Sequence, residues 1–263
     1  AYLNHNYGAQ GIAFPFTDKL NQYFDAEYTF VMPKISKTEK EFLANYGFYG
    51  IDMPPSGLIM AEYNKFFEIL YFFVYLFRKK KIFSTETRKN YFEFFRIVKT
   101  QDVFVDLSGI EFVGNVPIKN RYLNYFSLIT MQVLAKKYNK LYLKYTKSYG
   151  PFPEKIYKSF VKRSFNRLPF LLVRGEENLK EIKKLNLSIP TYSFPDISLS
   201  LQPESRNWAI NYMENLGINP EEKIVGLSPS AVLANIKSDN NSSCGKNHLK
   251  LCEKVINLYR EDY

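Results

Sequence analysis

Short runs rich in β-branched and aromatic residues recur along this chain, and each is separated from the next by a stretch long enough for a helix. The pattern predicts strands over 27–32, 102–107, 140–146, 170–173, 191–194 and 223–227. Helical periodicity covers 9–24, 61–80, 86–98, 120–137, 154–167 and 204–216, and a further helix opens at Arg174-Gly175. In the helix over 120–137, Phe126, Ile129, Val133 and Leu134 share one face. Between 47 and 57, Gly47, Gly50, Pro54, Pro55 and Gly57 punctuate what reads as a long loop. Strands alternating with helices favour an α/β fold with an open parallel sheet and helices on both faces, because parallel neighbours need crossover connections. Ligands in such sheets sit beyond the carboxyl ends of the strands. Attention therefore falls on Ser108-Gly109, Ser148-Tyr149-Gly150 and Arg174-Gly175, where runs end on small or charged residues.

The 263 residues are enough for one large domain or two ordinary ones. The chain opens with Ala1 and stops inside a helical pattern, so a longer natural protein is expected. A balance of 46% hydrophobic to 24% charged residues excludes disordered and collagen-like chains. Lys and Arg number 36 against 26 for Asp and Glu, and the net charge of +10 favours anionic partners. Nucleic acid is not expected among them, since the cations are scattered and form no recognised binding motif. Cys244 and Cys252 are too few for a disulfide framework, and no signal peptide opens the sequence, which together predict a cytoplasmic location.

Residues 66–77 read Phe-Phe-Glu-Ile-Leu-Tyr-Phe-Phe-Val-Tyr-Leu-Phe and run directly into Arg78-Lys79-Lys80-Lys81. A spanning helix needs about 20 apolar residues, so this segment is too short. It reads either as a buried helix whose C-terminal cations suit its dipole, or as a surface for peripheral contact with the inner face of a membrane. The stretch 91–96 has the same aromatic character.

Few residues carry chemistry by spacing alone. Cys244, His248 and Cys252 recur every four residues, but Cys244 adjoins the polar run 238–243, outside any expected helix, so no metal site is expected. Gly8-Ala9-Gln10-Gly11 is a poor match to a dinucleotide fingerprint, and there is no P-loop. Preceded by His5-Asn6-Tyr7, Gly8 fits either a substrate-facing turn or an ordinary tight one. Arg174 follows four apolar residues and precedes Glu176 and Glu177. Its guanidinium can offer a fixed fork of donors to a carboxylate or phosphate, or pair with a neighbouring acid.

Several landmarks together resemble the polysaccharide pyruvyl transferase family. Ser148-Tyr149-Gly150-Pro151-Phe152 resembles that family's Q-S-x-G-P-F strand end, and Leu172-Val173-Arg174-Gly175-Glu176-Glu177-Asn178 is similar to its V-R-G/D-E-x-S segment. Pro195-Asp196 resembles P-D-x-x-F, and Val225-Gly226-Leu227-Ser228-Pro229-Ser230 resembles V-G-I-S-P-S. Upstream, Asp106-Leu107-Ser108-Gly109-Ile110-Glu111-Phe112 is similar to a strand ending in a Ser/Gly-Gly turn, and Asn6-Tyr7-Gly8-Ala9-Gln10 to the N-x-G-A-Q opening. Lys147 and Asn178 depart from the usual Gln and Ser.

The resemblance implies a glycosyltransferase-B-like fold of two Rossmann-like domains, the first over 1–218 and the truncated beginning of the second over 219–263, which would leave apolar surface uncovered near 223–259. It implies transfer of the enolpyruvyl group of phosphoenolpyruvate to a sugar of a cell-surface or lipid-linked glycan, giving a pyruvate ketal and phosphate with no cofactor. Arg174, Ser148 and Gly150 would serve the donor, while His5, Asn6, Gly8, Ser108 and Gly109 would face the acceptor. Ser228 and Ser230 would lie in a second-domain loop. The general acid that protonates the enol carbon is expected beyond residue 263, so the chain alone is expected to be inactive. A nucleotide-sugar glycosyltransferase of the same fold, or a non-catalytic glycan- or membrane-binding relative, are the alternatives.

Overall fold

The computed structural model describes residues 7–32, 35–54, 59, 85–112, 118–229 and 244–260. His5, Asn6, Ser230, the helix expected over 61–80 and the aromatic–basic segment 66–81 lie outside them. The protein is mixed α/β. Its elements run α1 (Tyr7–Asn21), β1 (Thr29–Met32), α2 (Lys37–Ala44), β2 (Tyr49–Asp52), α3 (Thr85–Thr100), β3 (Val103–Asp106) and β4 (Ile110–Glu111). They continue with α4 (Ile118–Lys137), β5 (Leu141–Lys144), β6 (Ser148–Tyr149), α5 (Lys155–Phe165), β7 (Leu171–Arg174), α6 (Glu176–Lys183) and β8 (Thr191–Phe194). A 3-10 turn (Ile197–Ser200), α7 (Arg206–Asn215) and α8 (Cys244–Arg260) complete the order.

All the strand pairs described are parallel: β1 with β2, β3 with β5, β4 with β6, and β7 with β8. A bridge between Lys147 and Val173, reinforced by the Arg174 N–H donating to the Lys147 carbonyl at 2.8 Å, ties the β5–β6 line to β7. The strand order across this region is thus β3/β4, β5/β6, β7, β8, with α4, α5 and α6 as the crossovers.

The helices form where the apolar spacing demands a buried stripe. In α5, Tyr157, Val161, Ser164 and Phe165 recur at helical spacing and are buried. Ser164 and Gln132 of α4 lock the two helices together: Gln132 Nε2 donates to the Ser164 carbonyl at 2.8 Å, and Ser164 Oγ donates to Gln132 Oε1 at 2.7 Å. Ile129 and Leu134 of α4 reach the core as expected, but Phe126 of the same predicted face remains exposed. The main core gathers Phe94, Val98, Phe104, Phe112, Leu134, Tyr157, Phe165, Leu171 and Val173. Each such side chain contributes about 1.5–3 kcal/mol on burial. A smaller cluster of Met32, Ile35 and Leu43 sits beneath the aromatic rings of Phe14, Phe30, Phe42 and Phe48.

The structure corrects three expectations. The loop over 47–57 contains a strand, β2, and Gly50 is there for close approach: a Cβ at this position would lie 2.4 Å from Ile35 and 2.7 Å from Leu43. The run 223–227 forms no strand, although its composition favours one. A lone strand leaves a row of backbone donors and acceptors unpaired, and no other strand is found among the described residues of this part of the chain. Cys244 begins α8 and does not belong to the preceding loop.

The chain splits into two compact units, Ala1–Leu201 and Gln202–Tyr263, so the expected boundary after 218 falls inside the second. None of the described residues of the second unit is buried. Trp208 and Tyr212 of α7 stack at 5.1 Å on its surface, and Leu249, Leu251, Ile256 and Leu258 of α8 are exposed. Among the described residues, no helix is long and apolar enough to cross a membrane.

Candidate functional site at the strand ends

The carboxyl end of β3 and the short β4 are separated by the turn Leu107–Ser108–Gly109, and the adjacent line of β5 and β6 breaks at the same level. Register places Asp106 opposite Lys144, and Glu111 opposite Tyr149. Four charges meet in this break. Lys144 Nζ lies 3.0 Å from Asp106 Oδ2 and 2.6 Å from Glu111 Oε2. Lys147 Nζ pairs with Asp106 Oδ1 and lies 2.8 Å from Glu111 Oε1. Both lysines are fully buried, and Glu111 is 2% exposed.

Burying Lys144, Lys147 and Glu111, with Asp106 partly exposed beside them, is tolerated only because each is paired and hydrogen-bonded. The Tyr142 hydroxyl donates to Asp106 Oδ2 at 3.0 Å, and the Ser108 N–H donates to Oδ1 at 3.1 Å. The Lys144 ammonium also sits 5.5 Å from the ring centroids of Phe112 and Tyr142. These surroundings pull the four groups apart. Burial alone would raise the Asp106 carboxyl, but the Lys144 and Lys147 ammonium groups overcome it and hold it well below the usual carboxylate range. For Glu111 burial prevails, helped by the neighbouring Asp106, and its carboxyl is raised. Burial opposes the Lys144 ammonium, but Glu111 and Asp106 outweigh it and raise the group. At Lys147 burial wins and lowers it.

Ser108 is the exposed member of this constellation. Lys147 Nζ donates to its Oγ at 2.6 Å, and Oγ lies 2.9 Å from both Asp106 Oδ1 and Glu111 Oε1. The next residue, Gly109, offers its carbonyl to two donors, the Ser148 N–H at 3.2 Å and Arg174 Nη2 at 2.6 Å. Arg174 closes the edge: its Nη1 lies 2.6 Å from Asp196 Oδ2, while its Nε–H is buried with no hydrogen-bond partner among the described residues. Asp196 in turn caps the 3-10 turn by accepting from the Ser198 N–H at 3.0 Å.

Gly150 follows β6 with φ of 84°, which favours glycine, and precedes the cis bond to Pro151. Asn178 of α6 supports this segment by pairing its side-chain amide with the backbone of Tyr149, at 3.1 Å to the N–H and 2.8 Å to the carbonyl. That contact gives Asn178 a structural use the shorter Ser would not reach.

Of the residues singled out in the sequence, Ser108, Gly109, Ser148, Gly150 and Arg174 converge on one strand edge. Gly8 lies in the first turn of α1 and is exposed, and Ser228 is exposed in the irregular 223–229 stretch. Cys252 Sγ lies 3.9 Å from His248 Nε2 on α8, and no group of three metal-ligating side chains assembles among the described residues. Sequence reasoning passed over Asp106, Glu111, Lys144 and Lys147 as a set. The available signal was a pair of lysines three apart at one strand end, beside acids on both sides of a Ser-Gly turn.

A concavity of about 230 Å³ lies beside the cluster, lined by Glu111, Phe112, Arg121, Asn124, Ser127 and Tyr157 among others. Arg121 is paired there with Glu154 and lies 5.6 Å from the Tyr157 ring centroid. Burial is the main cause that pushes the Tyr157 hydroxyl up to about 12. Neither family models, nor curated proteins, nor solved structures returned a match to this chain.

Proposed function

We propose that the protein is a polysaccharide pyruvyl transferase-like enzyme of glycosyltransferase-B-like fold, whose strand edge receives phosphoenolpyruvate as donor. The observation that supports this reading is the Gly109 carbonyl, on which Arg174 and Ser148 converge although the three come from separate sequence landmarks. A donor carrying both carboxylate and phosphate suits a guanidinium at the carboxyl end of a parallel sheet, and Arg174 stands there with its Nη groups on the Gly109 carbonyl and on Asp196. A sugar hydroxyl pair of a glycan would then take the enolpyruvyl group and close the ketal.

Asp196 competes with the donor for the same guanidinium, which gives the reading a two-sided test. Calorimetric titration of the chain with phosphoenolpyruvate should show saturable binding that Arg174→Lys weakens and Asp196→Asn strengthens. Binding of a nucleotide sugar instead would transfer the assignment to a glycosyltransferase. Binding of neither ligand would favour a non-catalytic relative in which Arg174 and Asp196 serve only to hold the turn.

A further inference from the structure

The charge cluster around Lys147 contains an arrangement that the donor reading does not use. Ser108 Oγ accepts a hydrogen bond from a fully buried ammonium at 2.6 Å and stands 2.9 Å from the oxygen of a nearly buried carboxylate. Its single proton is shared between two carboxylate oxygens, Asp106 Oδ1 and Glu111 Oε1, each at 2.9 Å, and a lone pair accepts from Lys147, so transfer of that proton to Glu111 frees the electron pair that attacks. Because Ser108 is exposed, a reactant can approach that electron pair from solvent.

We propose that Ser108 is a covalent nucleophile for acyl transfer, with Glu111 as its general base and Lys147 as the cation that stabilises the developing alkoxide. Oγ forms a bond to the carbonyl carbon of an ester, the carbonyl electron pair moves onto oxygen, and the Ser108 proton passes to Glu111 Oε1. Collapse breaks the ester C–O bond, and the departing alcohol takes that proton from Glu111. Water or a second hydroxyl then removes the acyl group by the reverse sequence.

The environment divides the labour between the acids. Glu111, raised by burial, is the better proton acceptor, whereas Asp106 is held ionised by both lysines and anchors the ammonium of Lys147. The substrate class is an ester with an anionic acyl part, since the residue after the nucleophile carries the Arg174 guanidinium, whose Nη2 donates to the Gly109 carbonyl at 2.6 Å. The covalent step needs only the Ser108–Glu111–Lys147 geometry, while the choice of acyl part shares Arg174 with the donor reading.

A fluorophosphonate ester tests it on the whole chain. Oγ would form a bond to phosphorus, the P–F bond would break with loss of fluoride, and the proton would leave through Glu111. Peptide mass mapping should find the label on Ser108 and on no site in Ser108→Ala, a small change at an exposed position. Removing a general base costs about 10²–10⁴ in rate, so Glu111→Gln that retains the native circular dichroism should label at least ~100-fold more slowly. Labelling of the native chain no faster than of the urea-unfolded chain would overturn the proposal, and so would equal labelling of Ser108→Ala.

Discussion

The two units of this protein treat charge and apolar surface in opposite ways. The first takes Lys144, Lys147 and Glu111 out of water, the lysines at 0% exposure, while the second leaves Ile256 at 51% and Leu258 at 66% exposure. Hydrophobicity alone would predict the reverse. What decides burial here is the supply of partners. Two strand lines in parallel register bring two carboxylates to two ammonium ions, whereas the described part of the second unit has no second layer for its apolar residues to meet. Burial follows complementarity as much as polarity.

Breaking the charged cluster should give the largest effect. Lys144→Met leaves Asp106 and Glu111 to share the single ammonium of Lys147, and removing one member of a buried ionic set costs about 3–5 kcal/mol. A urea midpoint close to that of the parent would mean that the cluster is hydrated and the contrast between the units is false. Almost as large, Phe165→Ala empties a site at the centre of the main core, against the rings of Phe112 and Tyr149, and should cost about 3–5 kcal/mol. Leu258→Ala on the exposed face of α8 should stay within about 0.5 kcal/mol. Comparable losses at the two positions would show that α8 is covered in solution.

Titration should sharpen the same contrast. Asp106 is depressed in the folded state, so its stabilisation is present above the ordinary carboxylate pKa and is lost as pH falls below about 4. Tyr142 and Tyr149 are pushed well up by burial, with Asp106 and Glu111 adding to it, so the folded chain retains protons that the unfolded chain loses above about pH 10. Stability must therefore fall on the alkaline side as well. Denaturant midpoints measured across pH should decline at both ends, and Asp106→Asn should flatten the acid limb most and soften the alkaline limb as well, because Asp106 helps to raise Tyr142 and Tyr149. The smallest difference concerns caps. Ser36 makes a reciprocal capping box with Glu39, while Ser205 only accepts from the Trp208 N–H at 3.1 Å. Loss of such a cap costs about 0.5–2 kcal/mol, and Ser36→Ala should fall towards the upper end and Ser205→Ala towards the lower. The reverse ranking, read from helical circular dichroism on heating, would show that α7 depends on its own cap more than α2 does.

Much of the sheet was legible because strand length and alternation are local properties. The run 140–146 declares itself a strand, yet alternation does not say which face turns inward: Leu141 is 45% exposed, and Tyr142 and Lys144 are buried. The deciding information sits on another strand, at Asp106, and only register connects them. β2 was hidden for a different reason. Gly50 looks like punctuation in a sequence, but in the fold it is a packing residue that lets the strand touch Ile35 and Leu43. The candidate site was legible at its small and charged termini, Ser108-Gly109 and Arg174, since strand ends mark ligand edges. Its interior was not, because a lysine in sequence reads as solvated unless its counter-ions are known.

The turn Leu107–Ser108–Gly109 has a consequence for how the protein can vary. Surface loops ordinarily accept insertions and deletions with little penalty. Here the loop sets a phase: it carries the chain from Asp106 to Glu111 so that both carboxylates reach the same side of the sheet and bracket the same ammonium ions. One residue more or fewer would rotate Glu111 to the opposite side and leave Lys147 facing a single carboxylate. Sequence drift at this turn is therefore confined to exchange of residue type at fixed length, which makes the spacing between the two acids a more stringent signature of the fold than the residues between them.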